Sequence, residues 1–245
     1  MTEKRIALVT GSATGIGAVV VARLARDGFT LVVNYRTSQR AAEQLLTRIH
    51  PVAPDSLALR ADVSKPDEAQ GLIAAVLARF GQLDVLVNNA GPWLVKPAFE
   101  TSVDEWRAML DNNLSSTFYC CKFALAAMRA RRQGVIVNFG SANAELARGA
   151  PNVTAYHIAK VGVVVLTRSL ARTEGAYNIR VNCVNPGYVD TETISDADRA
   201  HMPAAIPLRR LGTTDEIAEA VAFLVSERAS YINGAALNVH GGLWV

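Results

Sequence analysis

The stretch TAYHIAKVGVVVLTRSLA, Thr154 to Ala171, sets two side chains that can exchange a proton, Tyr156 and Lys160, four residues apart. Four residues span about one helical turn, so a helix through this run projects both from one side with their polar ends close. A free phenol titrates near pH 10, poorly matched to acid–base work at neutrality. An ammonium one turn away favours the phenolate and is expected to lower that value. The pair thus has the makings of a general acid/base. It also reads as a packed tyrosine beside a lysine that snorkels its amine to water. The spacing alone does not choose.

A second group with chemical potential is VTGSATGIG, where Gly11, Gly15 and Gly17 are spaced G-x-x-x-G-x-G. This is wider than the G-x-G-x-x-G dinucleotide fingerprint, but the physics is shared. Glycine permits the sharp turn off a strand, and missing side chains let backbone and helix N-terminus approach a pyrophosphate. A tight turn without a ligand is the simpler alternative.

These groups need elements to hold them. Short β-branched runs at 5–10, 30–35, 56–61, 84–89, 134–139, 179–184 and 236–239 read as strands. Helical patterns lie between them at 15–27, 38–49, 66–80, 104–131, 154–176 and 214–226. SKPDEAQ places Ser64, Pro66 and two acids as a helix start should. Strands apolar on both faces, separated by helices, imply a parallel sheet covered on both sides. No linker, low-complexity segment or repeat interrupts the chain. The reading is one doubly wound α/β domain over 1–245, with a parallel seven-stranded sheet and helices on both faces.

Composition narrows the function classes. Half of the 245 residues are apolar, enough for one substantial core. Net charge is +3 with the basic residues scattered, so no nucleic-acid partner is expected. Twenty of the 25 basic residues are arginine, which makes each lysine position more informative. The nearest basic cluster, RARRQ at 129–133, precedes a glycine at an expected helix end, where positive charge suits the helix dipole. Cys120, Cys121 and Cys183 lack C-x-x-C spacing and read as buried thiols in a reducing compartment. The four histidines form no H-E-x-x-H pattern, so no metal centre is expected. No apolar run approaches 18 residues and MTEKRIALVTG does not read as a signal peptide. A soluble cytoplasmic protein without membrane contact is the expectation.

TGSATGIG, NNAG at 88–91, Asn113 in DNNLSSTF, Ser141 in NFGSAN, YHIAK at 156–160 and NPGYVDT at 185–191 stand in order along the chain. Together they resemble the classical short-chain dehydrogenases/reductases, in the branch containing 3-oxoacyl-carrier-protein reductases and glucose dehydrogenases. The resemblance covers essentially the whole sequence, and six motifs in register make it specific. It implies a Rossmann-type fold and carbonyl–alcohol interconversion by hydride transfer with a nicotinamide. Tyr156 becomes the acid/base of a Y-x-x-x-K pair, and Lys160 also a ligand of the nicotinamide ribose. Ser141 would hold the substrate oxygen, while Asn113 would distort its helix and hold a proton-relaying water. The implied cofactor contacts are Gly11, Ser12, Thr14, Gly15, Ile16, Gly17, Asn34, Arg36, Asp62, Val63, Asn89, Ala90, Gly91, Pro186, Gly187, Val189 and Thr191, besides Tyr156 and Lys160.

Arg36 directly follows the strand TLVVNY, where an acid would bind ribose hydroxyls and repel a 2′-phosphate. An arginine there, with Thr37 and Ser38 beside it, favours NADP(H) and leaves NAD(H) possible. The family's variable pocket segments correspond to PWLVKPAFE, the 142–153 loop and a substrate loop at 191–207. They offer Trp93, Leu146, Tyr188 and Met202 as an apolar mouth, Asn143 as a polar contact, and Lys96 and Arg148 for an anionic tail. Two departures stand out: the gap from Ser141 to Tyr156 is longer than usual, and His240 replaces an acid before the C-terminal glycines. A homotetramer built by pairing the helices at 104–131 and 154–176 is the expected assembly. A 3-oxoacyl reductase, a sugar or other alcohol dehydrogenase, and a non-catalytic dinucleotide-binding regulator are the functional alternatives.

Overall fold

In the computed structural model, which describes residues 4–243, seven strands form one parallel sheet in the order β3-β2-β1-β4-β5-β6-β7. They are β1 Ile6–Val9, β2 Thr30–Tyr35, β3 Leu57–Arg60, β4 Val85–Asn88, β5 Gly134–Phe139, β6 Ile179–Pro186 and β7 Ala236–Val239. The helices are α1 Gly15–Arg26, α2 Gln39–Ile49, α3 Pro66–Phe80, α4 Val103–Leu110, α5 Ser116–Arg131, α6 Thr154–Glu174, α7 Asp196–His201 and α8 Thr214–Val225. The expected doubly wound architecture is therefore the one observed.

The apolar strands build two cores because successive side chains leave opposite faces. Ala7 and Val9 of β1 pack with Val21 and Leu24 of α1 and Val221 of α8. Ile6 and Leu8 face the other way, onto Ile73 and Val76 of α3 and Met128 of α5. Strand order reverses on either side of β1, with β2 to one side and β4 to the other. The crevice at the carboxyl ends of these strands is where such folds place a ligand.

Three expectations are refined. The helical pattern at 104–131 is divided at the distortion expected of Asn113: a π-turn over Asp111–Ser115 lies between α4 and α5. Ser64 does not cap α3; its hydroxyl donates to Asp62 Oδ1 at 2.7 Å, while Pro66 opens the helix with Asp67 and Glu68 in its first turn. The RARRQ cations are paired as well as placed near a helix end. Arg129 grips the buried Glu174 at 2.6 and 2.7 Å, and Arg131 reaches the buried Asp84 at 2.7 Å. Within 191–207 the chain also forms α7, opened by Ser195, whose hydroxyl accepts from Asp198 N–H at 3.1 Å.

Candidate active site

A cleft of about 1440 Å³ runs along the carboxyl edge of the sheet from Arg36 to Met202. Its floor begins at the turn after β1. Gly11 has φ +57°, a conformation that L side chains rarely adopt. Asn34 steadies this turn by accepting from Gly11 N–H at 3.1 Å while its amide donates to Ala61 O. Gly17 is required for a different reason: a Cβ there would lie 2.6 Å from Asn89 Nδ2 and 2.7 Å from Ser12 Cα. Asn89 in turn donates to the carbonyls of Thr10 and Gly11, each at 3.0 Å. The first turn of α1 is thus pressed against β4 with Gly15 N–H free of intrahelical bonds, donating to Glu192 Oε1 at 3.2 Å.

Gly11, Thr14, Gly15, Ile16, Asn34, Arg36, Asp62, Val63, Asn89, Ala90, Gly91, Pro186, Gly187, Val189 and Thr191 all line the cleft. Ser12 and Gly17 do not. Ser12 is fully buried and its hydroxyl donates to Val9 O at 2.7 Å, so it holds the loop instead of facing a ligand. Arg36 lies at the cleft edge with its side chain 59% exposed. It donates to Asn112 Oδ1 at 3.3 Å and sits 3.9 Å from Asp62 Oδ2.

At the other end, Ser141, Tyr156 and Lys160 line the same cleft. Lys160 is 5% exposed and donates to Phe139 O at 2.9 Å, a bond that turns its ammonium toward the end of β5. Burial pushes its amine down to about 8 and pushes the Tyr156 phenol up to about 12. The expected lowering of the phenol by Lys160 is therefore reversed: loss of solvation dominates, with the ammonium 5.7 Å from the ring centroid. Ser141 Oγ is buried without a hydrogen-bond partner, available to a ligand oxygen.

Asn113 lies beneath this wall, fully buried in the π-turn, its amide donating to Pro92 O at 3.1 Å and Met109 O at 3.0 Å. Those bonds tie the turn to the segment after Gly91. The sequence-based distortion of this helix is observed, and Asn113 supports the cleft without lining it.

Trp93, Asn143, Tyr188, Arg148 and Met202 also line the cleft, as anticipated. Leu146 does not; it is 47% exposed outside it. Lys96 is also displaced from that role, because it pairs with Glu105 at 2.8 and 3.0 Å. His240 Nε2 is buried and unpartnered, its Nδ1 accepts from Gly242 N–H at 3.2 Å, and its main chain packs against Gly187. Residues missed by sequence reasoning include Asn112, which meets Arg36, and His157, another residue lining the cleft. Their adjacency to Asn113 and Tyr156 was the available signal. Burial lowers the His157 imidazole below its ordinary value. Among the described residues no group of His, Cys, Asp or Glu has metal-binding geometry, and no helix is long and apolar enough to cross a membrane.

Fold and site define a doubly wound, dinucleotide-binding type of α/β protein with polar groups converging at its switch-point crevice. A family model described as enoyl-(acyl carrier protein) reductase matches residues 11–244. The chain is 38% identical over 248 residues to a 3-oxoacyl-(acyl-carrier-protein) reductase of Staphylococcus aureus, covering 100% of both. It is 41% identical to cis-4-hydroxycyclohexanecarboxylate dehydrogenase of Sinomonas cyclohexanicum, covering 98% of this chain and 96% of the relative. A blue fluorescent protein from a metagenomic library, solved in complex with NADPH, superposes with TM-score 0.90 at 32% identity, covering 98% of each chain. The chain belongs to the short-chain dehydrogenase/reductase family, and it is an oxidoreductase of that family acting on a small-molecule substrate.

Proposed function

We propose that this enzyme reduces a 3-oxoacyl-type carbonyl to a secondary alcohol, and performs the reverse oxidation, with NADP(H). One observation carries the reading: Tyr156, Lys160 and Ser141 face the same cleft as the glycine turn. The residues fit a dinucleotide. Side chains are excluded where its pyrophosphate would approach, and Arg36, Thr37 and Ser38 rim the other end. The bound nicotinamide supplies or accepts the hydride.

The chain's own groups manage the proton. With its phenol pushed up to about 12, Tyr156 is protonated across the neutral range and is an acid poised to donate to the developing alkoxide. The unpartnered Ser141 hydroxyl donates to the same oxygen and fixes its position. Lys160 spends one of its three N–H donors on Phe139 O, leaving two that would serve the nicotinamide ribose. Its charge stabilises the phenolate left after that donation, and in the oxidation direction the same charge favours the phenolate that accepts the alcohol proton. Asn113 holds the π-turn behind them, in the position proposed for a relaying water. Arg36, at the cleft edge, would hold the adenosine phosphate as a charged partner. Around the substrate end, Trp93, Tyr188 and Asn143, with the segment 191–207, form the variable pocket.

The test is absorbance at the reduced-nicotinamide band with NADPH and 3-oxoacyl thioesters, beside cyclic ketones and sugars. Thioester reduction as the fastest reaction supports the reading; no turnover of any carbonyl or alcohol points instead to a non-catalytic binding protein. Identity of 41% to a hydroxycyclohexanecarboxylate dehydrogenase favours a second reading, oxidation of a cyclic alcohol. The same panel with NADP⁺ or NAD⁺ and such alcohols separates the two.

For assembly, a D₂ homotetramer through α5 and α6 is supported by exposed Phe118, Ile158 and Val165 on these helices. The apolar run of α6 contributes less than its sequence suggested, because Val163 and Val164 face inward. A light-scattering mass at the 26.2 kDa monomer value in micromolar solution would rule the tetramer out. Three free, buried thiols agree with a reducing, cytoplasmic setting.

A further inference from the structure

The loop that follows β5 is longer than its family pattern leads one to expect, and it takes a difficult path. Asn143 and Ala147 both have positive φ, 56° and 51°, flanking the single 3-10 turn Ala144–Leu146. Non-glycine residues rarely occupy this region unless their surroundings determine it. The loop begins with Ser141, whose buried hydroxyl has no partner and lines the cleft. Something must hold that loop still.

Asn143 anchors the loop at one point, its Nδ2 donating to Leu243 O at 3.0 Å; the charged anchor is Glu145. Its Oε2 accepts from Asn185 Nδ2 at 2.8 Å and its Oε1 accepts from Asn238 Nδ2 at 2.6 Å. Asn185 and Asn238 are register partners at the carboxyl ends of β6 and β7, and Asn185 Nδ2 also donates to Asn238 Oδ1 at 3.1 Å. Asn185 is fully buried beneath the start of the loop, where a Cβ on Gly140 would overlap its Oδ1. The loop is therefore pinned on both sides of Ser141: at Gly140 against Asn185, and at Glu145 onto the same side chain. Backbone bonds inside it, Ala144 N–H to Ser141 O and Leu146 N–H to Asn143 O, both at 3.0 Å, link the pinned turn back to the serine.

The donor and acceptor inventory explains why an acid stands at this position. Both asparagines present N–H groups to residue 145, so only a double acceptor satisfies the triangle. A glutamine would turn one N–H toward one of them. Flipping Asn238 to receive it would set its amide nitrogen against that of Asn185. An isosteric, uncharged substitution thus breaks at least one bond of the triangle.

We infer that Glu145 is a positioning residue, acting through Asn185 and Asn238 to hold the Ser141 hydroxyl at the reacting oxygen. This rests on the carbonyl-reductase reading above, which wild-type turnover tests on its own. The clamp is tested by the variants measured relative to wild type.

Glu145→Gln is expected to lower kcat about tenfold while the Kd for NADPH stays within about twofold, a loss on the scale of misplaced catalytic groups. In the Ser141→Ala background the same substitution should have little further effect, because its route to the reaction has gone. The double variant Glu145→Gln/Asn238→Asp moves the extra acceptor across the triangle: the introduced glutamine would donate to the introduced aspartate, and both would accept from Asn185. It should restore most of kcat and also restore slow amide hydrogen exchange at Ala144 and Leu146, which the single variant speeds. Full activity in Glu145→Gln, additive losses with Ser141→Ala, or failure of the double variant to recover both readouts would each overturn the assignment. Should Glu145→Gln fail to fold, Asn238→Ala removes one donor and is expected to give a smaller kcat loss, again absent in Ser141→Ala; an undiminished loss there overturns it equally.

Discussion

The cleft holds a cation at each end, and it treats them in opposite ways. Lys160 is 5% exposed, bonded to Phe139 O and stripped of solvent, so its proton affinity falls to about 8. The Arg36 side chain is 59% exposed and meets Asn112 at 3.3 Å and Asp62 at 3.9 Å. Burial makes the first group a participant in proton chemistry. Exposure leaves the second a charge that a ligand phosphate can engage without first breaking a strong pair. Catalysis and cofactor choice are thus separable along one cleft, and substitutions should separate them.

The sharpest separation is at Tyr156. Tyr156→Phe removes only the acid, so turnover should fall by roughly 10²–10⁴-fold with NADPH affinity nearly unchanged. Lys160→Ala should lose both rate and affinity. Steady-state kinetics beside equilibrium NADPH titration read the contrast, and a Phe variant retaining most activity would remove Tyr156 from its role.

Arg36→Asp should act at the other end only. Hydrogen bonds to charged groups contribute about 1.5–3 kcal/mol, so the ratio of kcat/KM for NADPH over NADH should swing by roughly 10- to 100-fold toward NADH. The turnover number at saturating cofactor should change little. A wild type that favours NADH, or a ratio that the substitution leaves untouched, would show that Arg36 does not read the phosphate.

The smallest effect is on stability. The Lys160 amine has a lower proton affinity folded, about 8, than its ordinary 10.5. Below pH 8 the amine is charged in both states and its desolvation weighs on the folded one. Above 10.5 it is neutral in both and that cost vanishes. Lys160→Met should therefore be more stable than wild type at pH 7 by about 2 kcal/mol, after allowing about 1 kcal/mol for the lost bond to Phe139. That corresponds to a Tm about 4–8 °C higher, shrinking between pH 8 and 10.5. Thermal melts across that range check it, and a constant or growing difference would refute the burial account.

How much of this was legible in the chain depends on the distance over which the deciding contacts act. Strands β2 and β5 fall where their largely apolar, β-branched runs place them, because both faces of such a parallel strand are covered. The Tyr156/Lys160 pair and the glycine turn are local too, fixed by one helical turn and one strand–helix junction. The break in 104–131 was less visible: the π-turn is secured by the Asn113 amide reaching Pro92, a contact 21 residues away. Leu146 was misjudged for a related reason, since the left-handed residues flanking its turn carry it out of the cleft.

Periodicity, glycine placement and helical spacing thus suffice for the layered α/β fold, its crevice and most of the residues that face it. The sign of the Tyr156 shift needed the folded chain, because desolvation depends on what surrounds a group and not on its neighbour one turn away. Folding also withdrew Lys96 and Ser12 from the cleft by giving them nearer partners, Glu105 and the Val9 carbonyl. And it joined Glu145 to Asn185 and Asn238, residues 40 and 93 positions apart from it. Hydrogen bonds of that reach have no periodic signature; they exist only once parallel strands bring distant carboxyl ends side by side.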